Sequence, residues 1–194
     1  MGKYDEIKQR FAGGALFTAF DLETTGLDPQ KDKIVEIGAV KFDRLGITAR
    51  FSALVNPGIP IAPEASKVNH ITDAMLIGEP AIEETLPGFI RFIGDSMLIA
   101  HNATFDCGFI NAELKRLCGG QGLLAETPWV PPYQRLPESR VIDTLTMSRD
   151  LDPSRQTHKL QDLAAGYNIP SAAAHRAEDD ARVCMEIFIR LLGV

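Results

Sequence analysis

Two carboxylates, Asp21 and Glu23, stand two residues apart at the end of the apolar run Ala15-Leu16-Phe17-Thr18-Ala19-Phe20. In an extended strand residues i and i+2 share a face, so the pair would project together, and neighbouring carboxylates repel unless a cation lies between them. That is the chemistry of a metal site, although an isolated pair also suits a strand end running into solvent. A third acid, Asp106, ends the segment Ala100-His101-Asn102-Ala103-Thr104-Phe105-Asp106 in the first turn of an expected helix, where an acid equally serves the helix macrodipole. The last group is His175-Arg176-Ala177-Glu178-Asp179-Asp180-Ala181, a histidine five residues ahead of Asp180 at the opening of the final helix. A histidine in that leading loop is free to reach over the same site as an acid on the helix. Spacing alone does not choose among Glu178, Asp179 and Asp180.

These residues need elements to carry them. The run from Ala15 to Glu23 is apolar, aromatic and rich in strand formers, and reads as a central strand. After a loop over Thr24 to Lys33 with turn signals at Gly26 and Asp28-Pro29, two strand-like runs, Ile34 to Asp43 and Ile47 to Asn56, are split by the short turn Arg44-Leu45-Gly46. From Pro63 to Gly94 the apolar spacing turns helical, with Ile82, Leu86, Phe89, Ile90 and Ile93 at steps of three and four. Ser96 to His101 reads as a short buried strand. Asn102 to Thr104 then offers a cap for a helix through Leu117 with Phe105, Phe109, Ala112, Leu114 and Leu117 on its buried face. A strand-to-helix step spans Val141 to Leu151, and Leu160 to Tyr167 and Ala177 to Leu192 read as the last helices. An amphipathic segment, Tyr4 to Phe11, precedes them all. The Pro- and Gly-rich stretch from Gly119 to Ser139, which holds Trp129, reads as a long surface loop of the kind that is often functional. Strands first and helices later indicate a mixed α/β fold.

With 194 residues, 45% of them apolar, the chain is long enough for one core and short for two, so a single domain over 1-194 is expected, its core at about 15-192. No apolar run reaches the 18 residues or so of a membrane span, and the N-terminus is too polar for a signal peptide. The expectation is a soluble, cytoplasmic protein without a membrane partner. Cys107, Cys118 and Cys184 have no CxxC spacing and read as reduced thiols rather than a disulfide framework or a zinc site. The net charge of −6 argues against a broad basic surface that grips nucleic acid by counterion release. Two divalent cations held by four carboxylates would offset much of that charge, so acidity does not exclude a nucleic-acid enzyme.

Taken together, Phe20-Asp21-Leu22-Glu23-Thr24-Thr25-Gly26-Leu27, His101-Asn102-Ala103-Thr104-Phe105-Asp106 and His175-Arg176-Ala177-Glu178-Asp179-Asp180-Ala181 resemble the three exonuclease motifs of the DEDD superfamily, in its histidine-bearing DnaQ-like branch. That branch includes proofreading subunits of bacterial replicative polymerases, ribonuclease T and oligoribonuclease. The resemblance runs from about Ala15 to Leu192 and takes in Val141-Ile142-Asp143-Thr144-Leu145 and His158-Lys159-Leu160. Any one motif is weak; three in order carry it. It implies a ribonuclease H-like α/β fold, a five-stranded mixed sheet with an antiparallel second strand, flanked by helices. It also implies a metal-dependent 3′→5′ exonuclease with Asp21, Glu23, Asp106, His175 and Asp180 as its catalytic set, which selects Asp180 over its acidic neighbours.

The four carboxylates would hold two Mg²⁺ or Mn²⁺ ions about 3.5 to 4 Å apart, an arrangement that activates water, neutralises the transition state and assists the departing 3′ oxygen. As the resemblance implies, Asp21 bridges both ions, Glu23 and Asp180 complete the site of the ion that binds water, Asp106 supports the second, and His175 is the general base. Thr24, Thr25, His101 and Phe105 are expected around the terminal nucleotide, Phe105 being equally suited to the core. His70, in Val68-Asn69-His70-Ile71-Thr72, falls one place later than the histidine of the family's Val-His-Gly-Ile-Thr pattern and is given no role. His158 reads as a helix-leading residue, and Lys115-Arg116 and Arg149-Asp150 as solvated helix faces. The Gly119 to Ser139 loop is longer than the pattern leads one to expect. The partner is the 3′ end of a nucleic acid, DNA ahead of RNA. Nothing follows the last helix with which to hold a polymerase, so a free-standing exonuclease or an excised domain is expected, with polymerase association and self-association both open. The alternatives are a 3′→5′ exoribonuclease or oligoribonuclease and, against the presence of all five site residues, a non-catalytic nucleic-acid-binding module.

Overall fold

A computed structural model describes residues 2–118, 135–171 and 175–194. Five strands, β1 (Phe17–Thr24), β2 (Ile34–Asp43), β3 (Gly46–Leu54), β4 (Met97–Ala100) and β5 (Val141–Asp143), form one sheet in the order β3-β2-β1-β4-β5. β2 runs antiparallel to β1 and β3, whereas β4 and β5 run parallel to β1. This is the mixed sheet with an antiparallel second strand that the motif pattern implied. The helices are α1 (Asp5–Ala12), α2 (Pro63–Asn69), α3 (Ile82–Ile93), α4 (Ala103–Cys118), α5 (Thr144–Leu151), α6 (Leu160–Gly166) and α7 (Ala177–Leu192).

The period of two along β1 and β2 sorts their side chains into two cores. Phe20 and Leu22 of β1 with Ile37 and Ala39 of β2 pack against Leu86, Phe89 and Ile93 of α3 and Phe109, Ile110 and Leu114 of α4. On the opposite face Phe17, Ala19, Val40 and Phe42 meet Val183, Cys184, Ile187 and Phe188 of α7. There Phe11 of α1 joins Phe17, Phe42 and Phe188 in an aromatic cluster with centroids 5.4 to 6.3 Å apart. Offset and edge-on pairs of this kind add about 0.5–1.5 kcal/mol each beyond area burial. α7 therefore lies across β1 and β2, and its first turn meets the carboxyl half of β1.

Two expectations change. Residues 63 to 94 are not one helical stretch: His70 adopts a left-handed φ of 59° and ends α2, and Gly78, with φ 85°, precedes Glu79-Pro80 and the isolated Asn56–Ala81 bridge. A residue with a Cβ in that left-handed region cannot continue a right-handed helix. The helical spacing belongs to α3 alone. Arg116 is not a solvated residue, since it pairs with buried Glu113 and donates from Nη2 to the carbonyls of Pro29 and Gln30, fastening the β1–β2 loop to α4. Of the expected Gly119 to Ser139 surface loop, residues 119–134, including Trp129, lie outside the described residues, as does the side chain of Cys118, while Ser139 sits in a 3-10 turn, Glu138–Arg140. Arg140 donates from that turn to the Ser96 and Gly94 carbonyls, joining it to the α3–β4 connection.

Candidate active site

The sheet presents its carboxylates where β1 outruns its neighbour. β4 pairs with β1 only from Phe17↔Met97 to Ala19↔Ile99 and then turns into α4. The Leu22 N–H beyond that point would lack a partner, and the Oδ1 of Asp106, in the first turn of α4, accepts it at 3.1 Å. Asp106 is thereby fixed beside β1 and buried. Asp21 and Glu23 share a face with Phe17 and Ala19, the face that α7 covers, as the strand period required.

From α7 comes Asp180, also buried, whose two oxygens are both used: Oδ2 accepts the His175 N–H at 3.0 Å and Oδ1 accepts Nε2 of Gln161 on α6 at 2.7 Å. His175 stands just ahead of the helix with φ 65°, a left-handed conformation that a histidine adopts only when its surroundings hold it. One ligand-capable atom each of Glu23, His175 and Asp180 lies within 4.8 Å of the other two, close enough to share a metal ion. The competing acids are engaged elsewhere: Asp179 pairs with Arg182 and Glu178 with Arg50, each at 2.8 Å. Geometry thus brings Asp180 to the site and leads Glu178 and Asp179 away from it.

The cluster is electrostatically uncomfortable as it stands. Burial pushes Asp21 well above the usual carboxylate range, and the charges of Asp106, Glu23, Asp180 and Glu36 push it further. Glu23 is raised to about 8, by burial first and then by Asp180, Glu36 and Asp106, against a hydrogen bond from Asn69 that favours its anion. Burial likewise raises Asp106 to about 8, and lifts Asp180 in spite of its bonds from His175 and Gln161. Among the described residues no lysine or arginine forms an ion pair with any of these four carboxylates. Four converging acids with no cationic side chain, flanked by an imidazole, are a donor set suited to hard divalent cations.

The residues expected around the nucleotide are present but differently engaged. The Thr24 hydroxyl donates to the Gly26 carbonyl at 2.6 Å. That of Thr25 donates to Asp32 Oδ1 and accepts the Lys33 N–H, so both hydroxyls shape the β1–β2 loop. Phe105 is half-buried and leans on Phe109 at 5.0 Å, leaving part of its ring accessible. His101 bonds through Nδ1 to Thr144 Oγ1 at 2.9 Å, and its Nε2 is buried without a partner among the described residues. Burial holds its imidazole below the usual range. His158, expected to lead a helix, sits just before the N-cap of α6 and bonds to Ser148 of α5.

Several contributors escaped the sequence reading. Buried Asn69 donates to the Thr24 carbonyl and bonds to Glu23, while its Oδ1 accepts the Ile71 N–H. It occupies the histidine's place in the Val-His-Gly-Ile-Thr pattern, and His70 occupies the left-handed place of the glycine; that register was the available signal. Glu36, an acid set within the apolar run Ile34 to Val40 of β2, and Gly38 two residues on carried a signal too. Gln161 carried none.

The Exonuclease family (RNase_T) matches this chain over residues 18–188. DNA polymerase III subunit epsilon of Treponema pallidum (strain Nichols) is 48% identical over 179 residues, which cover 91% of this chain and 76% of that one. A PolC-type DNA polymerase III of Caldanaerobacter subterraneus subsp. tengcongensis is 40% identical over 176 residues, but the match covers 91% of this chain and only 11% of that polymerase. Among solved structures, exonuclease X in complex with 5′ overhanging duplex DNA aligns with a TM-score of 0.68 at 26% identity, covering 91% of both chains. With its mixed sheet and its three motifs in order, the chain belongs to the DnaQ-like family of 3′→5′ exonucleases.

Proposed function

We propose that this exonuclease shortens single-stranded DNA from its 3′ end, releasing nucleoside 5′-monophosphates, in the proofreading setting that its epsilon-subunit relative suggests. One observation carries the reading: buried Asp106 and Asp180 converge with half-buried Asp21 and Glu23, no lysine or arginine pairs with them among the described residues, and His175 lies beside Glu23 and Asp180. Asp21, Glu23, Asp106 and Asp180 would hold two Mg²⁺ or Mn²⁺ ions. When bound, such a pair supplies a nucleophilic water near neutral pH and offsets the charge that develops on the phosphoryl and leaving oxygens.

The chain's own residues do the rest. His175 takes the proton of the attacking water as the oxygen bonds to phosphorus, and the bond from phosphorus to the 3′ oxygen breaks, that oxygen leaving with a proton from solvent. The Asp180–His175 backbone bond keeps the histidine beside the carboxylates. Asn69 orients Glu23, and Gln161 orients Asp180. A groove of about 690 Å³ runs between the start of α4, α5 and the segment leading into α6, lined by His101, Arg149, His158 and Lys159. There Arg149 and Lys159 offer a phosphate backbone two cationic side chains on a chain that is acidic overall. The accessible edge of Phe105 offers a stacking surface.

The likeness to a DNA polymerase III epsilon subunit and to exonuclease X, which is seen bound to DNA, favours DNA, and association with a polymerase is the corresponding partner proposal. The test is to incubate the protein with 5′-labelled single-stranded DNA and RNA of one sequence, with Mg²⁺, Mn²⁺ or EDTA. A ladder shortening from the 3′ end, faster on DNA and abolished by EDTA, is expected. Equal or faster shortening of RNA would replace DNA by RNA as the substrate, since the choice rests on how the pocket meets the 2′-OH.

A further inference from the structure

Glu36 takes no part in the chemistry above, yet it is 1% exposed in the apolar strand β2 and in register with Glu23. A carboxylate buried there is costly unless its oxygens are used. Arg176 uses them: Nε lies 3.2 and 3.3 Å from the two oxygens and Nη2 lies 2.9 Å from Oε1. The Ala177 N–H donates to Oε2 at 3.2 Å. Arg176 is the N-cap of α7 and Ala177 its first residue, so Glu36 grips the helix end that follows His175. Gly38, on the same face of β2 and opposite Asp21, completes the contact. A Cβ there would lie 2.1 Å from the Ala177 carbonyl carbon and the Glu178 nitrogen, so strand and helix end meet backbone to backbone.

We propose that Glu36 and Arg176 are positioning residues: their bidentate pair pins the first turn of α7 to β2 and so holds His175, in its left-handed conformation, over the carboxylate cluster. The proposal rests on the reading of His175 as the base. A left-handed residue with a side chain relaxes unless both flanks are held, and here Asp180 holds its N–H while Glu36 holds the residue that follows. The planar guanidinium matters because its two parallel bonds fix direction as well as distance; a lysine would keep the charge and lose the fork. An Arg176 that gripped substrate phosphate instead would act on KM.

The experiment is a cycle of kcat and KM on single-stranded DNA for the wild type, His175→Ala, Arg176→Ala and the double variant, with thermal melts of each. Arg176→Ala is expected to lower kcat about ten- to a hundredfold with KM within about twofold, the scale at which supporting residues act. In the His175→Ala background the same change should cost less than about threefold, because the group it positions is gone. Arg176→Lys should restore only part of the rate. If Arg176→Ala does not fold, the cycle is run with Arg176→Lys. A low rate in His175→Ala with an unaffected Arg176 variant, an equal loss in both backgrounds, or a loss confined to KM would overturn the positioning role. A wild-type rate in His175→Ala would instead overturn the base on which it rests.

Discussion

At the scale of single residues, the site is defined by acids that burial and mutual repulsion hold away from their ionised state. Glu23 and Asp106, raised to about 8, keep protons in the folded chain that the unfolded chain has lost above its ordinary carboxylate range. The folded state therefore binds more protons between roughly pH 4.5 and 8, and stability falls as pH rises through that window. Thermal melts of the metal-free protein should show a midpoint that declines from pH 5 to 8, and Mg²⁺ should flatten the decline, because it binds the ionised carboxylates and displaces their protons. A metal-free midpoint rising across the same range would contradict this account. Asp21 and Glu23 were legible as a pair because strand alternation dictates a shared face. Asp106, His175 and Asp180 were legible only as part of a motif set, because nothing local says that a helix start and a helix-leading loop converge on one strand. Asn69 was signalled only by its register in the Val-His-Gly-Ile-Thr pattern, and Gln161 acts through a hydrogen bond across the fold to Asp180 that no spacing rule reports.

At the scale of elements, the contact between β2 and the start of α7 organises the site. Gly38 has no left-handed torsion to explain it; what it provides is absence of bulk, since the atoms facing it are backbone and cannot swing aside. Gly38→Ala is expected to destabilise the protein by about 3 kcal/mol or more, at or beyond the usual cost of overpacking a core. Urea unfolding measures it, and a midpoint equal to the wild type would show that helix and strand can separate freely. The strands β1 and β2 and the helices α3 and α7 were readable because their apolar periods are strong and their faces distinct. The stretch before α3 was misread because a few apolar residues at helical steps do not reveal a left-handed His70 or the break at Gly78. Arg116 looked solvated since its partners Pro29 and Gln30 are remote in sequence.

At the scale of the whole molecule, a chain of net charge −6 concentrates acids at one end of β1 and carries a groove lined by His101, Arg149, His158 and Lys159 between the residues leading into α4, α5 and the segment leading into α6. Among the described residues no helix is long and apolar enough to cross a membrane. The fold class was legible as a whole because three motifs in order imply one topology, and the sheet order agrees with it. The proposed chemistry requires that the converging carboxylates form one site for two divalent cations. Mn²⁺ titration of the wild type and of Asp21→Asn, followed by calorimetry at pH 8, tests this most directly. Two ions per wild-type chain, with affinity reduced by about tenfold or more in a variant that melts like the wild type, is the predicted result. Equal Mn²⁺ binding by both proteins would contradict it.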